Sequence, residues 1–515
     1  MPNSACLFSV LTVLGIMCGQ AVLAQDQPLS VIDWVQQHPN QPPITSVGLP
    51  NPLEPPVAPT AVIPQVDVAP LAQEAVRIIG LVPATVTGLP QDLWRGSDPR
   101  SLSMQVANLP DFGLPAAQAL MYTLLLTEAL GPGTDAEEED VFTLARVNAL
   151  LRFGALDAAM ALIEQADVTR DVAHFSAYLD IALLTGAEDA ACAKLAQNRH
   201  LAPSYAHLIF CTLRGGEFND AALLFDTATT LGLLNPQQET LLALFLDAEL
   251  ADTTDPLPPP ENVTPLLFRL YETLGEPLPT RGLPRAFAMA DLRDVAGWKQ
   301  QIEAAERLAR SGALPPNALL GLYTEREPAA SGGTWDRVEA VQRFDTALRT
   351  GSSEAVSKTL PDAWAAMQSE ALEVVFSSLF ARDLAAFTLE ARAAAIAVTM
   401  SLLSQDYQTA GLATPDALLA AVAQGNVQGV AVDTPQAQSV ALGFGADSAR
   451  ADLVAMAADG RRGEAILRAL VLLEAGASGD PVSLAAALGT LRALGLEDTM
   501  RRAALQVLLL DRYRG

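Results

Sequence analysis

From residue 116 onward, apolar side chains recur at three- and four-residue spacing, and Ala and Leu dominate. That is the period of helices that bury one face, written in strong helix formers. The first such run, 116–130, is expected to stop at Gly131-Pro132-Gly133. Thr134 and Glu137 then fit a capping box. The acidic neighbours Asp135, Glu138, Glu139 and Asp140 fall in a first turn, where the helix dipole favours anions. They lack the alternating oxygen ligands around a Gly that a calcium loop needs. Strand-like alternation is scarce, and 426–432 is the best candidate.

A repeat follows. Helix, Gly, short turn, Asp, Ala-Ala and helix occur three times: Gly154 with Asp157-Ala158-Ala159, Gly186 with Asp189-Ala190-Ala191, and Gly215-Gly216 with Asp220-Ala221-Ala222. The Ala pairs are 32 and then 31 residues apart. Gly suits the left-handed end of the first helix, and Ala lets the second approach it closely. This is a helical hairpin of tetratricopeptide-like size, without that repeat's Trp, Gly-Tyr and Pro signature. The spacing predicts an all-α fold, an irregular α-solenoid of TPR-like helical hairpins. Thr334 is the expected N-cap of a helix over 335–349. Gly351, Gly460-Arg461-Arg462-Gly463-Glu464 and Gly495-Leu496-Glu497-Asp498 read as further hairpin turns, and 499–513 as a closing amphipathic helix.

The N-terminal part is different. Residues 7–19 are mostly apolar, and Val22 and Ala24 suit signal-peptidase cleavage after Ala24. Nine prolines lie between residues 39 and 64. Proline fixes φ and removes a backbone donor, so neither helix nor central strand can form there. A disordered, polyproline-like arm is expected, reaching roughly 90 Å if fully extended. It carries a short apolar cluster, in which Leu29, Ile32, Trp34 and Val35 are candidate partner-docking residues. The same cluster could instead pack on the folded body. The expected organisation is signal peptide 1–24, Pro-rich arm 25–70, helical-repeat domain 71–250, Pro-rich linker 251–265 and a second helical domain 266–515.

Composition narrows the function. The chain has 515 residues, of which 50% are hydrophobic, with 32 basic against 59 acidic residues, a net charge of −27. Such an acidic chain is a poor match for nucleic acid or an anionic membrane surface. No later apolar run reaches the ~18 residues of a spanning helix. Only three basic residues are Lys and the rest are Arg; with the abundant Ala, this points to a high-GC bacterium and a periplasmic destination.

Two cysteines remain after signal removal, Cys192 and Cys211. Folding two antiparallel helices about the 198–203 turn brings them close, so an oxidising compartment favours a disulfide. It would close a loop of about 20 residues and stabilise by roughly 3 kcal/mol. A rival use of the same positions is a weak Cys2His2 zinc candidate, Cys192, His200, His207 and Cys211, with His207 and Cys211 four apart on one helix face. His38 and His174 stand alone. No Gly-x-Ser-x-Gly, His-Glu-x-x-His, P-loop or Ser-x-x-Lys pattern occurs. Gly443-Phe444-Gly445 reads as a turn. No catalytic residue and no cofactor are therefore expected.

The stretches Gly88-Leu89-Pro90-Gln91-Asp92-Leu93-Trp94, Ser331-Gly332-Gly333-Thr334-Trp335-Asp336-Arg337 and Gly495-Leu496-Glu497-Asp498-Thr499 resemble a family of exported, Ala-rich proteins of alphaproteobacteria. Some members of that family carry an antifreeze-glycopeptide-related label. The resemblance covers most of the chain after about residue 70. It implies an exported helical protein. The layout is also similar to periplasmic helical-repeat proteins that assist the flagellar stator. The leading expectation is a periplasmic interaction scaffold for an envelope protein, such as a part of the flagellar motor. The alternative is a carboxylate-dependent peptidoglycan hydrolase built on a helical superhelix, although the catalytic Glu-Ser pair of helical transglycosylases is absent.

Overall fold

A computed structural model of the chain describes residues 77–133, 136–247, 249–250 and 257–513. Among these residues the fold is all-helical apart from one short ribbon. Ile78–Ile79 pairs antiparallel with Ala129–Leu130, with Ile78 opposite Leu130 and Ile79 opposite Ala129. The signal, the whole 25–70 arm, and Thr134 lie outside the described residues.

Local chemistry explains many helix starts. Asp98, Asp171, Ser204, Thr264, Ser352 and Thr434 each accept a backbone N–H of the following first turn. Asn235 and Gln238 form a reciprocal capping box. Many prolines beyond the arm occupy the first turn of a helix, as in Pro99–Ala107, Pro115–Leu126, Pro265–Thr273 and Pro481–Ala493. There the missing N–H costs nothing. The three sequence repeats become three hairpins. They are Ala136–Phe153 with Leu156–Gln165, Val172–Thr185 with Glu188–Gln197, and Tyr205–Arg214 with Phe218–Thr230. Gly154, Gly186 and Gly216 take φ of +88°, +82° and +82° at the turns, a region closed to most side chains. Ala159, Ala191 and Ala221 are fully buried where the paired helices meet.

Several expectations need correction. The helix expected over 116–130 ends at Leu126, because the next residues are drawn into the ribbon. The Glu128 N–H donates to Val82 O at 2.8 Å. At Gly80 the two backbones approach so closely that a Cβ would lie 2.4 Å from Glu128 N. Glu139 and Asp140, near the start of Ala136–Phe153 as expected, are buried. Arg77 pairs with both, and Arg170 with Asp140. Residues 426–432 form no strand. Gly333, not Thr334, caps Thr334–Thr350; the Thr334 hydroxyl donates instead to Glu303 Oε1 at 2.8 Å. The last helix is Glu497–Leu509, followed by a 3-10 turn.

One buried hydrophobic cluster runs from Ile79 to Leu510. It crosses the expected 251–265 linker, since Pro265–Thr273 packs on Val172–Thr185 and Pro236–Leu246. It also joins the two ends. Arg462–Ala477 and Glu497–Leu509 pack on Pro115–Leu126. Along this seam the Gly463 N–H donates to Leu93 O at 2.9 Å. The Gly113 N–H meets Glu474 Oε2 at 3.0 Å, and the Ala116 N–H meets Gln506 Oε1 at 2.8 Å.

The ribbon is held by Arg146, whose side chain is buried. Its guanidinium donates to Leu125 O at 2.8 Å, Ile79 O at 3.0 Å and Thr127 O at 3.2 Å. Burial lowers its pKa to about 10, with Glu139 opposing the shift, so it remains a cation at neutral pH. Arg146→Met leaves three carbonyls without that donor and should cost about 3 kcal/mol or more, read as the shift in a urea melt. Gly463→Ala places a Cβ 2.3 Å from the Trp94 ring and 2.9 Å from Leu93 O. It should cost about 1–3 kcal/mol by overpacking the seam. Gly282→Ala, with nothing within 4 Å, serves as the neutral control.

Candidate functional site

The second and third hairpins carry the residues that the sequence singled out. Asp171 ends the preceding turn and caps Val172–Thr185 by accepting the His174 N–H at 2.8 Å. The His174 ring is buried and lies 3.0 Å from the same carboxylate, so this lone histidine is a structural part of the cap. Glu188–Gln197 then runs to the Arg199–Leu201 turn, and Ser204 caps Tyr205–Arg214.

Cys192 and Cys211 face each other across that turn and form a disulfide, with Cα atoms 4.8 Å apart. Both sulfurs are consumed, so neither can act as a zinc thiolate. His207 is taken up locally, its Nδ1 lying 2.9 Å from Ser204 Oγ, and His200 is solvent-exposed. Among the described residues no group of three or more His, Cys, Asp or Glu is placed to hold a metal ion. Burial pushes the His207 imidazole down to about 4, so it is neutral at physiological pH.

Ion pairs brace the hairpin on both sides. Arg199 reaches Glu217 at 3.1 Å. The Arg214 Nε donates to Asp189 at 3.0 Å, and its Nη2 lies 3.4 Å from Glu188. Glu188 is also held by Arg269. Arg269 in turn pairs with Glu272, which Arg293 meets at 2.6 Å. This ladder ties the disulfide hairpin to the segment beyond the Pro-rich stretch.

Beside the disulfide lies a cleft of about 470 Å³, walled by both cysteines, Leu208, Phe218 and Phe245, with Arg199 at the edge. Phe245 stacks on Phe210, with ring centroids 5.5 Å apart. The walls carry no triad, no carboxylate pair free of Arg, and no glycine-rich phosphate loop. The cleft lining combines these apolar walls with the Asp189–Arg214 and Arg199–Glu217 ion pairs. The sequence reading passed over Phe218, Leu223, Leu231 and Leu233, which are exposed. The signal was available: on Phe218–Thr230, Leu223 falls opposite the buried Ala221 and Ala228. The arm residues Leu29, Ile32, Trp34 and Val35 lie outside the described residues. No family model, curated protein or solved structure matches the chain.

Two measurements check this geometry. Non-reducing peptide mapping should recover the Cys192 and Cys211 peptides as one linked species, and the Cys192→Ala/Cys211→Ala variant should lose roughly 3 kcal/mol. For His207 the folded pKa lies below the unfolded value near 6.5. The unfolded chain therefore binds the extra proton, and stability falls as pH drops from about 6.5 toward 4. That loss should reach up to about 2 kcal/mol at pH 5 relative to pH 8. His207→Gln should remove this component of the pH dependence in paired denaturant titrations.

Proposed function

We propose that the protein is a non-enzymatic helical-repeat scaffold working in the periplasm, where it holds a protein of the cell envelope. The observation that carries this reading is the exposure of large apolar side chains on a hairpin pinned by a disulfide and ion pairs. Burying such residues on a partner is the usual use of an apolar surface patch. The stacked hairpins support the solenoid-like part of the reading. The disulfide supports an oxidising compartment, in line with the expected signal. Among the described residues no helix is long and apolar enough to cross a membrane.

Carboxylate chemistry has less to stand on. The deeply buried acids Glu188, Glu306, Glu373 and Glu464 are each engaged by Arg in an ion pair, which gives them a structural role. The family resemblance and the flagellar motor belong to this proposal as the first partner setting to examine.

Crosslinking in cells, followed by mass spectrometry, tests the scaffold directly. It should capture a defined envelope protein, and deleting residues 29–35 should weaken that capture. Release of soluble muropeptides from peptidoglycan by the purified protein would overturn the non-enzymatic reading. A deletion strain that swims normally would remove the motor from consideration.

A further inference from the structure

Exposed large apolar side chains are concentrated in one short reach of the chain, at Tyr205, Phe218, Leu223, Leu231, Leu233 and Leu250. The helix at its centre, Phe218–Thr230, buries only Ala221 and Ala228. It packs on Tyr205–Arg214 and Pro236–Leu246, which leaves its outward side uncovered. On that side Leu223 is 67% exposed; Leu231, just past the helix end, is 63% exposed, and Phe218, at the first position and nearer the face of Ala221, is 61% exposed where it lines the cleft. An outward helix needs no leucine there for its own stability. The cleft beside Phe218, floored by the disulfide and Phe245, has room for an apolar anchor.

The charge around this face specifies what could cover it. Asp220 and Asp226 are exposed and lie three residues to either side of Leu223, so they flank it on the helix surface. From Gly215 to Phe268 the sequence contains nine carboxylates and no Lys, Arg or His. An apolar surface flanked by Asp220 and Asp226 complements an apolar ridge bordered by cations. The chain's own apolar segment at 29–35 carries Asp33 and no cation. A second copy would oppose acid to acid. Both are poor occupants.

We propose that the outward face of Phe218–Thr230 and the adjoining cleft dock a cationic amphipathic helix of a partner protein. The inference rests on the scaffold reading and specifies its partner's chemistry. A helix with Leu-type residues on one face and Lys or Arg along its borders lays its apolar side over Leu223 and Leu231. It drops one side chain into the cleft beside Phe218 and pairs its cations with Asp220 and Asp226.

The test uses the full-length chain and a fluorescent synthetic helix with a Leu face and Lys/Arg borders, read by anisotropy at two salt concentrations. Analogues with Gln or Glu at the border positions serve as comparisons. The cationic helix should bind at least about tenfold more tightly than the Glu analogue, with the difference shrinking at high salt. Leu223→Ser and Phe218→Ser should each weaken binding by about tenfold. Asp220→Asn/Asp226→Asn should weaken it several-fold. Val482→Ser, at a distant residue 75% exposed, should change nothing. Circular dichroism melts establish that each variant is folded.

Equal binding of the three helices would overturn the proposal, as would equal effects at Val482 and Leu223, or tighter binding of a peptide spanning residues 28–36. Loss of the docking face while cellular crosslinks persist through other surfaces leaves the scaffold standing. Peptide binding as described, with no partner captured in cells, counts against the scaffold alone.

Discussion

The structure depends on the contact between its first and last helices. Residues 93–116 need donors and acceptors that their own helices cannot supply, and residues 463–506 supply them. The Gly113 and Ala116 amides sit at the start of Pro115–Leu126, where a helix leaves its N–H groups unpaired. Glu474 and Gln506 accept those hydrogen bonds, and the Trp94 ring sits so close to Gly463 that a Cβ there would collide with it. A stack of hairpins joined only to nearest neighbours would leave both terminal helices with a bare apolar face. Here each terminal set covers the other, and the hydrophobic core continues from Ile79 to Leu510.

That closure sets the place of the disulfide hairpin. Most helices are buried between neighbours, but Phe218–Thr230 lies at the edge, with two small alanines as its buried residues. This second helix of the hairpin contributes few fully buried residues, so its apolar burial rests largely on Tyr205–Arg214. The Cys192–Cys211 bridge and the Arg214–Glu188–Arg269 ladder supply covalent and electrostatic anchors. The result is a braced surface whose apolar side chains point outward without loosening the fold. On Phe218–Thr230 the core takes Ala221 and Ala228 with part of Leu224 and Phe225, while Leu223 is left outward.

The helices were legible in the sequence because their signals are local. Gly154, Gly186 and Gly216 mark turns by backbone conformation alone, and the 19-residue separation of Cys192 and Cys211 matches two helices folded about one turn. The ribbon was not legible: its strands are two residues long, too short for any period, and one of them continues a helical pattern past Leu126. Its existence depends on Arg146, and nothing near Arg146 in sequence announces that its targets are Ile79, Leu125 and Thr127. The seam is hidden for the same reason, because Gln506 reads as a polar position on a helix until Ala116 is placed beside it. Of the candidate site, the disulfide was readable, whereas the docking face emerged only when burial showed which leucines the core does not use.

Hydrogen exchange of the full-length protein, followed by mass spectrometry through a urea series, tests the closed arrangement most directly. Amides in 99–126 and in 462–509 should share one high protection and lose it together in a single transition, while amides in 218–230 exchange earlier. Independent loss of protection in the two terminal segments would show that they do not form one core, and would contradict the account.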